Sequence, residues 1–126
     1  MQHVDRLYGG KFHAKGHNLL LELNKRYDAA LEEFDVLVMP TATHVASTIP
    51  PKDCSFKDIM KSAQSMNFNT KPFNSTGHPA LTINAGFSAP EERGKRGLPI
   101  GMMIVGRQFD EVTVLQVARA FEKLSN

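Results

Sequence analysis

The chain has 126 residues, of which 41% are hydrophobic and 22% charged, and its formal net charge is +2. This composition is typical of one globular domain and excludes an intrinsically disordered chain. The small positive charge gives no reason to expect a nucleic acid or an anionic membrane as partner, and no apolar run approaches the ~18 residues that span a bilayer. A single cysteine and an N-terminus without an apolar stretch predict a cytoplasmic protein.

The first half of the chain predicts a helix followed by a strand. Apolar residues recur at steps of three and four from about His17 to Phe34, which is the periodicity of an amphipathic helix. Val36–Met39 is then a short apolar run that stops at Pro40, and such a run is typical of a strand covered on both faces. A helix that leads into a buried strand favours an α/β fold.

The middle of the chain predicts loops, a helix and two strands. Residues 40–54 predict a loop, and a helix is expected to begin near Ser55. Residues 67–77 are polar and predict turns rather than a regular element. Ala80–Phe87 and Pro99–Val105 predict strands, and because their connection is too short for a crossover helix, we expect them to be antiparallel.

The last helix is the best-marked element. Asp110 stands where an N-cap belongs, Glu111 adds negative charge to the first turn, and Lys123 places positive charge near the end. The predicted core face of this helix consists of Val114, Val117, Ala118 and Phe121.

Side chains that could carry chemistry are few. His13 and His17 have the spacing of two metal ligands on one helix face, but no further ligand follows at a diagnostic spacing, which favours two surface histidines. The cluster of Arg93, Lys95 and Arg96 lies beside two glutamates, which favours a solvated loop over a nucleic-acid site. No serine lies in a Gly-x-Ser-x-Gly elbow or a Gly/Ser-rich turn. We therefore expect no catalytic residue, no metal ligand and no cofactor in this chain.

Four segments carry a specific likeness to one known family. Residues 72–83 read P-F-N-S-T-G-H-P-A-L-T-I, residues 97–107 read G-L-P-I-G-M-M-I-V-G-R, and F-D-E follows at 109–111. Upstream, residues 34–41 read F-D-V-L-V-M-P-T. In this order the segments resemble the C-terminal end of the amidase signature family, and the resemblance covers about residues 27–126.

The resemblance implies a large α/β fold around one mixed sheet, in an enzyme that hydrolyses the carboxamide C–N bond. The family's chemistry is carried by a Ser–cis-Ser–Lys triad in a Gly/Ser-rich region upstream of the part seen here, and no residue of this sequence matches that region. We therefore expect an α/β fold with a partial mixed β-sheet and flanking helices. Residues 1–126 would form a single domain that is a fragment of a larger amidase domain and lacks the catalytic core.

The resemblance also implies which residues would contact a substrate. The segment before the P-F-N turn lines the substrate side of the family's active site, and in this sequence that segment contains Asn67, Phe68 and Asn69. Asn67 aligns with a position that is acidic in some relatives and contacts the substrate amine, so an asparagine there favours neutral amides. Fixing the loop by side-chain hydrogen bonds is the alternative role for Asn67 and Asn74. A small-molecule amide is expected as substrate only in the context of a full-length amidase.

Two other functions stay open at this stage. The chain could be a stand-alone, non-catalytic interaction or structural module derived from an amidase, or a metal or nucleic-acid binder that uses His13, His17 and the basic loop. As an amidase fragment, the isolated chain is expected to be inactive on simple amides. We also expect it to self-associate or to pack loosely, because its strands are apolar along nearly their whole length and three helices are too few to cover them.

Overall fold

The structure, a computed structural model, describes residue 6, residues 8–90 and residues 97–125. In this part of the chain the elements follow one another as α1 (Lys11–Glu33), β1 (Leu37–Pro40), α2 (Phe56–Ser65), α3 (Lys71–Thr76), β2 (Ala80–Phe87), β3 (Pro99–Val105) and α4 (Glu111–Ser125). The α/β class and the flanking helices are confirmed. The basic cluster at residues 93–96 lies outside the described residues. None of the described helices is long and apolar enough to cross a bilayer.

The three described strands form one sheet in the order β1-β3-β2. Both strand pairs are antiparallel, as predicted for β2 and β3. In the register, Leu37 of β1 and Ala80 of β2 both lie opposite Val105 of the central strand. The family resemblance implied part of a mixed sheet, which contains both parallel and antiparallel pairs. The two pairs that the structure describes are both antiparallel.

The core lies on both faces of β3. On one face, Met103 and Val105 pack with Phe73 of α3, and Tyr27 of α1 lies against this cluster. On the other face, Ile104 packs against Val114 and Ala118 of α4, which confirms the predicted core face of that helix. The molecule is therefore layered, with α1 and α3 on one side of the sheet and α4 on the other.

The prediction that β1 is covered on both faces is wrong, whereas the central strand β3 is largely buried. Met103, Ile104 and Val105 are buried, whereas β1 and β2 alternate between half-buried and exposed positions. Val38, in the middle of β1, is 54% exposed. The reason is geometric, since β1 and β2 are the outer strands and the buried residues of the sheet belong to the central strand.

Two helix boundaries differ from the prediction. α1 begins at Lys11, six residues before the expected start, and Leu31 near its C-terminal end is its one buried residue. The segment predicted as turns contains the six-residue helix α3, which has Pro72 in its first turn and ends at Gly77 in the left-handed conformation, φ 79°. The start of α2 is as predicted, because the Ser55 side chain accepts a hydrogen bond from the Asp58 amide.

Candidate functional site

A cleft opens at the end of the sheet where β1 ends and β3 begins. Its volume is about 420 Å³. The lining residues come from the end of β1 and the loop after it, from β2, from the start of β3 and from the residue that follows α2. They are Pro40, Thr41, Ala42, Thr43, His44, Val45, Ala46, Met66, Thr82, Pro99, Ile100 and Gly101. The sequence did not reveal this cleft, because its walls are joined through the sheet and are distant along the chain.

Two threonines meet in the cleft across the sheet. The Thr41 amide donates to the Gly101 carbonyl at 2.9 Å, which continues the pairing of β1 with β3 by one residue. The Thr41 hydroxyl donates to Thr82 Oγ1 at 3.1 Å. A Cβ atom at position 101 would lie 2.9 Å from Thr41 Oγ1 and 3.0 Å from Thr82 Cγ2. A glycine therefore leaves the room that the two hydroxyl groups need.

His44 lies among hydroxyl groups at the rim of the cleft. Its Nδ1 atom is 3.1 Å from Thr43 Oγ1, and its Nε2 atom is 3.2 Å from Ser47 Oγ and 3.4 Å from Ser65 Oγ. A histidine next to a serine is the first requirement of nucleophilic serine chemistry. The second ring nitrogen faces a hydroxyl group rather than the carboxylate that orients the histidine of a Ser-His-Asp triad. This arrangement connects the loop after β1 to the end of α2, through Ser65.

The three predicted substrate-binding residues lie in different environments. The Asn69 side-chain amide donates to the Pro40 carbonyl at 2.7 Å. Pro40 lines the cleft, so Asn69 fixes the position of one lining residue. Phe68 is exposed and borders a separate groove on α2, where Lys71 Nζ lies 5.1 Å from its ring centroid. Asn67 is exposed, and its carbonyl accepts the Lys71 amide at 3.0 Å. The bond that fixes the loop is thus made by Asn69, a role that the sequence had suggested for Asn67 and Asn74.

A buried histidine also escaped prediction from the sequence. His78 is 4% exposed, and its Nδ1 atom lies 2.9 Å from Thr76 Oγ1. Its Nε2 atom lies 3.2 Å from Asp28 Oδ1, although Asp28 is fifty residues away in the chain. The imidazole is enclosed and has protein partners at both nitrogens, so it joins α1 to the start of β2 rather than facing a ligand. No local pattern in the sequence connects these two residues.

The turn between β3 and α4 holds the ends of two helices. Arg107 Nε donates to the Leu31 carbonyl at 2.8 Å, and Arg107 Nη2 donates to the Phe34 carbonyl at 3.4 Å. The Gln108 side chain donates to the Thr76 carbonyl at 2.9 Å. These bonds satisfy carbonyl groups that the ends of α1 and α3 leave without a helical partner. The turn with the family's G-R-x-F-D-E pattern therefore stabilises the fold by linking these helix ends.

His13 and His17 lie on α1, and both are exposed. Among the described residues, no group of three His, Cys, Asp or Glu side chains is placed to hold a metal ion. No described residue therefore adds a further ligand to the pair.

The comparisons with known proteins agree with the resemblance. The family model described as Amidase matches residues 3–115. The chain is 48% identical over 92% of its length to an uncharacterized protein in the nthA 5′ region of Rhodococcus erythropolis. It is 47% identical over 90% of its length to an enantioselective amidase of Rhodococcus rhodochrous, and 32% identical over 92% to a subunit of the glutamyl-tRNA(Gln) amidotransferase of Heliobacterium modesticaldum. The chain belongs to the amidase family.

The chain spans only part of each of these relatives. It covers 55% of the Rhodococcus erythropolis protein, 21% of the enantioselective amidase and 22% of the amidotransferase subunit. The match to about a fifth of two amidase-family proteins is consistent with a fragment of a larger amidase domain.

Proposed function

We propose that this chain is the C-terminal part of an amide-hydrolysing protein and supplies part of the sheet, the closing helix α4 and one wall of the substrate pocket. The nucleophile and its base would come from the Gly/Ser-rich region that the family resemblance leads us to expect upstream. The described residues would bind and orient the amide and exclude water from it. They would contribute no residue of the Ser–cis-Ser–Lys triad.

One observation carries this proposal. Asn69, in the segment that the resemblance assigns to substrate contact, is hydrogen-bonded to Pro40, at the start of the cleft. The segment and the cleft are therefore parts of one local structure, although they come from positions twenty-nine residues apart. The names of two relatives, an enantioselective amidase and an amidotransferase, support amide chemistry for the complete protein.

A chimeric enzyme tests the proposal. The chain would replace the matching C-terminal fifth of the Rhodococcus rhodochrous amidase, and hydrolysis of a simple amide would be measured. We expect turnover, and we expect Asn69→Ala to raise KM by up to about tenfold with a smaller change in kcat, because the variant loses one hydrogen bond that positions the wall.

The control is Asn18→Ala, which changes an exposed asparagine on α1 and should leave KM unchanged. A chimera that folds but has no turnover would contradict the proposal, as would equal KM values for the Asn69 and Asn18 variants.

A specific observation also favours the stand-alone interaction module as second candidate. α2 exposes Phe56 and Met60 along a groove that Phe68 also lines, and large exposed apolar patches mark interaction surfaces. If the chain acts in this way, the chimera is inactive and the isolated chain is a stable, well-packed protein.

A further inference from the structure

We propose that copies of this chain associate head to tail, with an acidic turn at the end of α1 of one copy bound in the groove on α2 of the next. The acidic turn consists of residues 32–35. The α2 groove is lined by Phe56, Lys57, Met60, Lys61, Gln64, Ser65 and Phe68. This association is separate from the proposed function, since neither surface lines the cleft.

The α2 groove combines apolar and positively charged side chains. Phe56 and Phe68 are 77% and 60% exposed, so their rings leave hydrocarbon in water. Lys57 and Lys61 line the same groove one helical turn apart, and the Lys71 ammonium group lies over the Phe68 ring. The volume of the groove is about 600 Å³, whereas a cavity of about 150 Å³ already holds a benzene ring. The groove therefore has the room and the charge to bind an acidic segment that carries an aromatic side chain.

The one acidic side chain of α2 lies outside the groove. Asp58 is not among the residues that line it, and its carboxylate accepts a hydrogen bond from the Ser55 hydroxyl at 2.6 Å. This bond belongs to the N-terminal cap of the helix. No ion pair joins Asp58 to a lysine within the described part of the chain. The lysines of the groove are therefore available to carboxylates from another copy.

The acidic turn presents an exposed aromatic ring between carboxylates. Phe34 is 53% exposed, and its neighbours Glu32, Glu33 and Asp35 are exposed as well. The turn lies at the C-terminal end of α1, where the helix dipole disfavours negative charge. The last turn of α1 contains no basic residue that would offset this effect. Cations supplied by another chain would therefore stabilise this end of the helix.

Arg107 lies close to the acidic turn, but its hydrogen bonds go to the backbone. Its guanidinium group donates to the Leu31 and Phe34 carbonyl groups. The ion pairs between described residues are Arg26 with Glu22 and His78 with Asp28, so none of them includes a carboxylate of the acidic turn. These carboxylates are therefore free to pair with lysines of another copy.

The two surfaces lie at opposite ends of β1. The acidic turn precedes this strand, which begins at Leu37. The end of α2 is held beyond the other end of the strand, where Thr43 Oγ1 donates to the Ser65 carbonyl at 3.3 Å. Residues 32–35 do not line the groove of their own copy, so the complementary surface must come from a different copy. Complementary surfaces on different sides of a molecule give a head-to-tail contact, which continues into a ring or a filament.

Charge favours this arrangement over the symmetric one. Pairing of two grooves would place Lys57 and Lys61 against the same lysines of the second copy, and like charges across an interface are unfavourable. Contact of the groove with the acidic turn pairs these lysines with carboxylates and covers the aromatic rings of both surfaces. The second copy therefore binds through its acidic turn.

Charge reversal tests the contact in the 126-residue chain. The groove variant is Lys57→Glu with Lys61→Glu, and the turn variant is Glu32→Lys with Glu33→Lys. Sedimentation velocity at micromolar concentration and low salt would measure the association. We expect each variant alone to associate at least about tenfold more weakly than the wild-type chain, because like charges then face each other. An equimolar mixture of the two variants should associate again, because each acidic surface then meets a basic one.

The matched control is Arg119→Glu with Lys123→Glu, which makes the same charge change at two exposed cations one helical turn apart on α4. We expect this control to associate like the wild-type chain, and an equal weakening would overturn the inference. A monomeric wild-type chain would also overturn it, as would variants that stay apart when mixed. A turn variant that associates as tightly as the wild-type chain would overturn it too, since that result is expected when groove pairs with groove. None of these measurements depends on amide hydrolysis.

Discussion

Arg107 shows how a residue of a family motif serves the fold. Its guanidinium group reaches from the turn after β3 to the last carbonyl groups of α1, and the shorter of the two bonds is 2.8 Å. Asn69 has a comparable role beside the cleft. Both residues belong to segments that the sequence singled out, yet their partners lie far away along the chain, so no pattern of spacing could predict the bonds. The sequence could predict that these segments matter, and only the fold shows what they touch.

We expect Arg107→Ala to lower the free energy of unfolding by about 1–2 kcal/mol, because it removes charge-assisted bonds to two helix-terminal carbonyl groups. Urea unfolding followed by circular dichroism measures this change. Arg26→Ala is the matched control. Arg26 makes an exposed ion pair with Glu22 one helical turn away, and its loss should cost no more than about 0.5 kcal/mol. Equal losses in the two variants would contradict the structural role of Arg107.

Among the elements, those with strong local signals were predictable and the others were not. β2 and β3 have the predicted bounds, since they are apolar runs between clear turn residues. The first turns of α1 lie outside the core and therefore need no apolar stripe, so periodicity could not reveal them. α3 is too short for a period to be visible, and its boundaries come from Pro72 and Gly77.

The junction of β3 and α4 gives a prediction about glycine. A Cβ atom at Gly106 would lie 2.6 Å from Val114 Cγ2 and 3.3 Å from the Asp110 carbonyl oxygen. Gly106→Ala should therefore force α4 away from the sheet and lower the free energy of unfolding by about 1–3 kcal/mol.

Gly16→Ala should instead raise the free energy of unfolding. No atom lies within 4 Å of a Cβ at this position inside α1, so the change should stabilise the helix by roughly 0.5–1 kcal/mol. Thermal or urea unfolding of the Gly106 and Gly16 variants measures both changes in stability. Destabilisation by Gly16→Ala would contradict the assignment of α1.

At the scale of the whole molecule, the described residues leave much apolar surface in water. Phe56 is 77% exposed and Ile49 is 93% exposed, and the exposed residues come from both helices and loops. The described part of the sheet has three strands, and β1 and β2 each have an outer edge with no neighbour among them. Open edges and apolar patches favour association with other chains. The sequence indicated this property through its apolar strands, but the surface lies mostly on the helices and the loops.

We expect the purified chain to self-associate at micromolar concentration or to bind a hydrophobic dye, because of this exposed apolar surface. Sedimentation velocity and dye fluorescence measure the two effects. A monodisperse monomer that binds no dye and melts in one sharp transition would contradict the expectation and would favour the stand-alone module.

In the proposed function, this chain supplies a wall of an amidase and the nucleophile lies elsewhere. Split complementation tests it most directly, with the upstream four fifths of the Rhodococcus rhodochrous amidase purified separately from this chain. We expect neither part alone to hydrolyse a simple amide above a matched buffer blank, and we expect the mixture to do so. Hydrolysis by the 126-residue chain alone, abolished by Ser47→Ala or Ser65→Ala beside His44, would contradict the account.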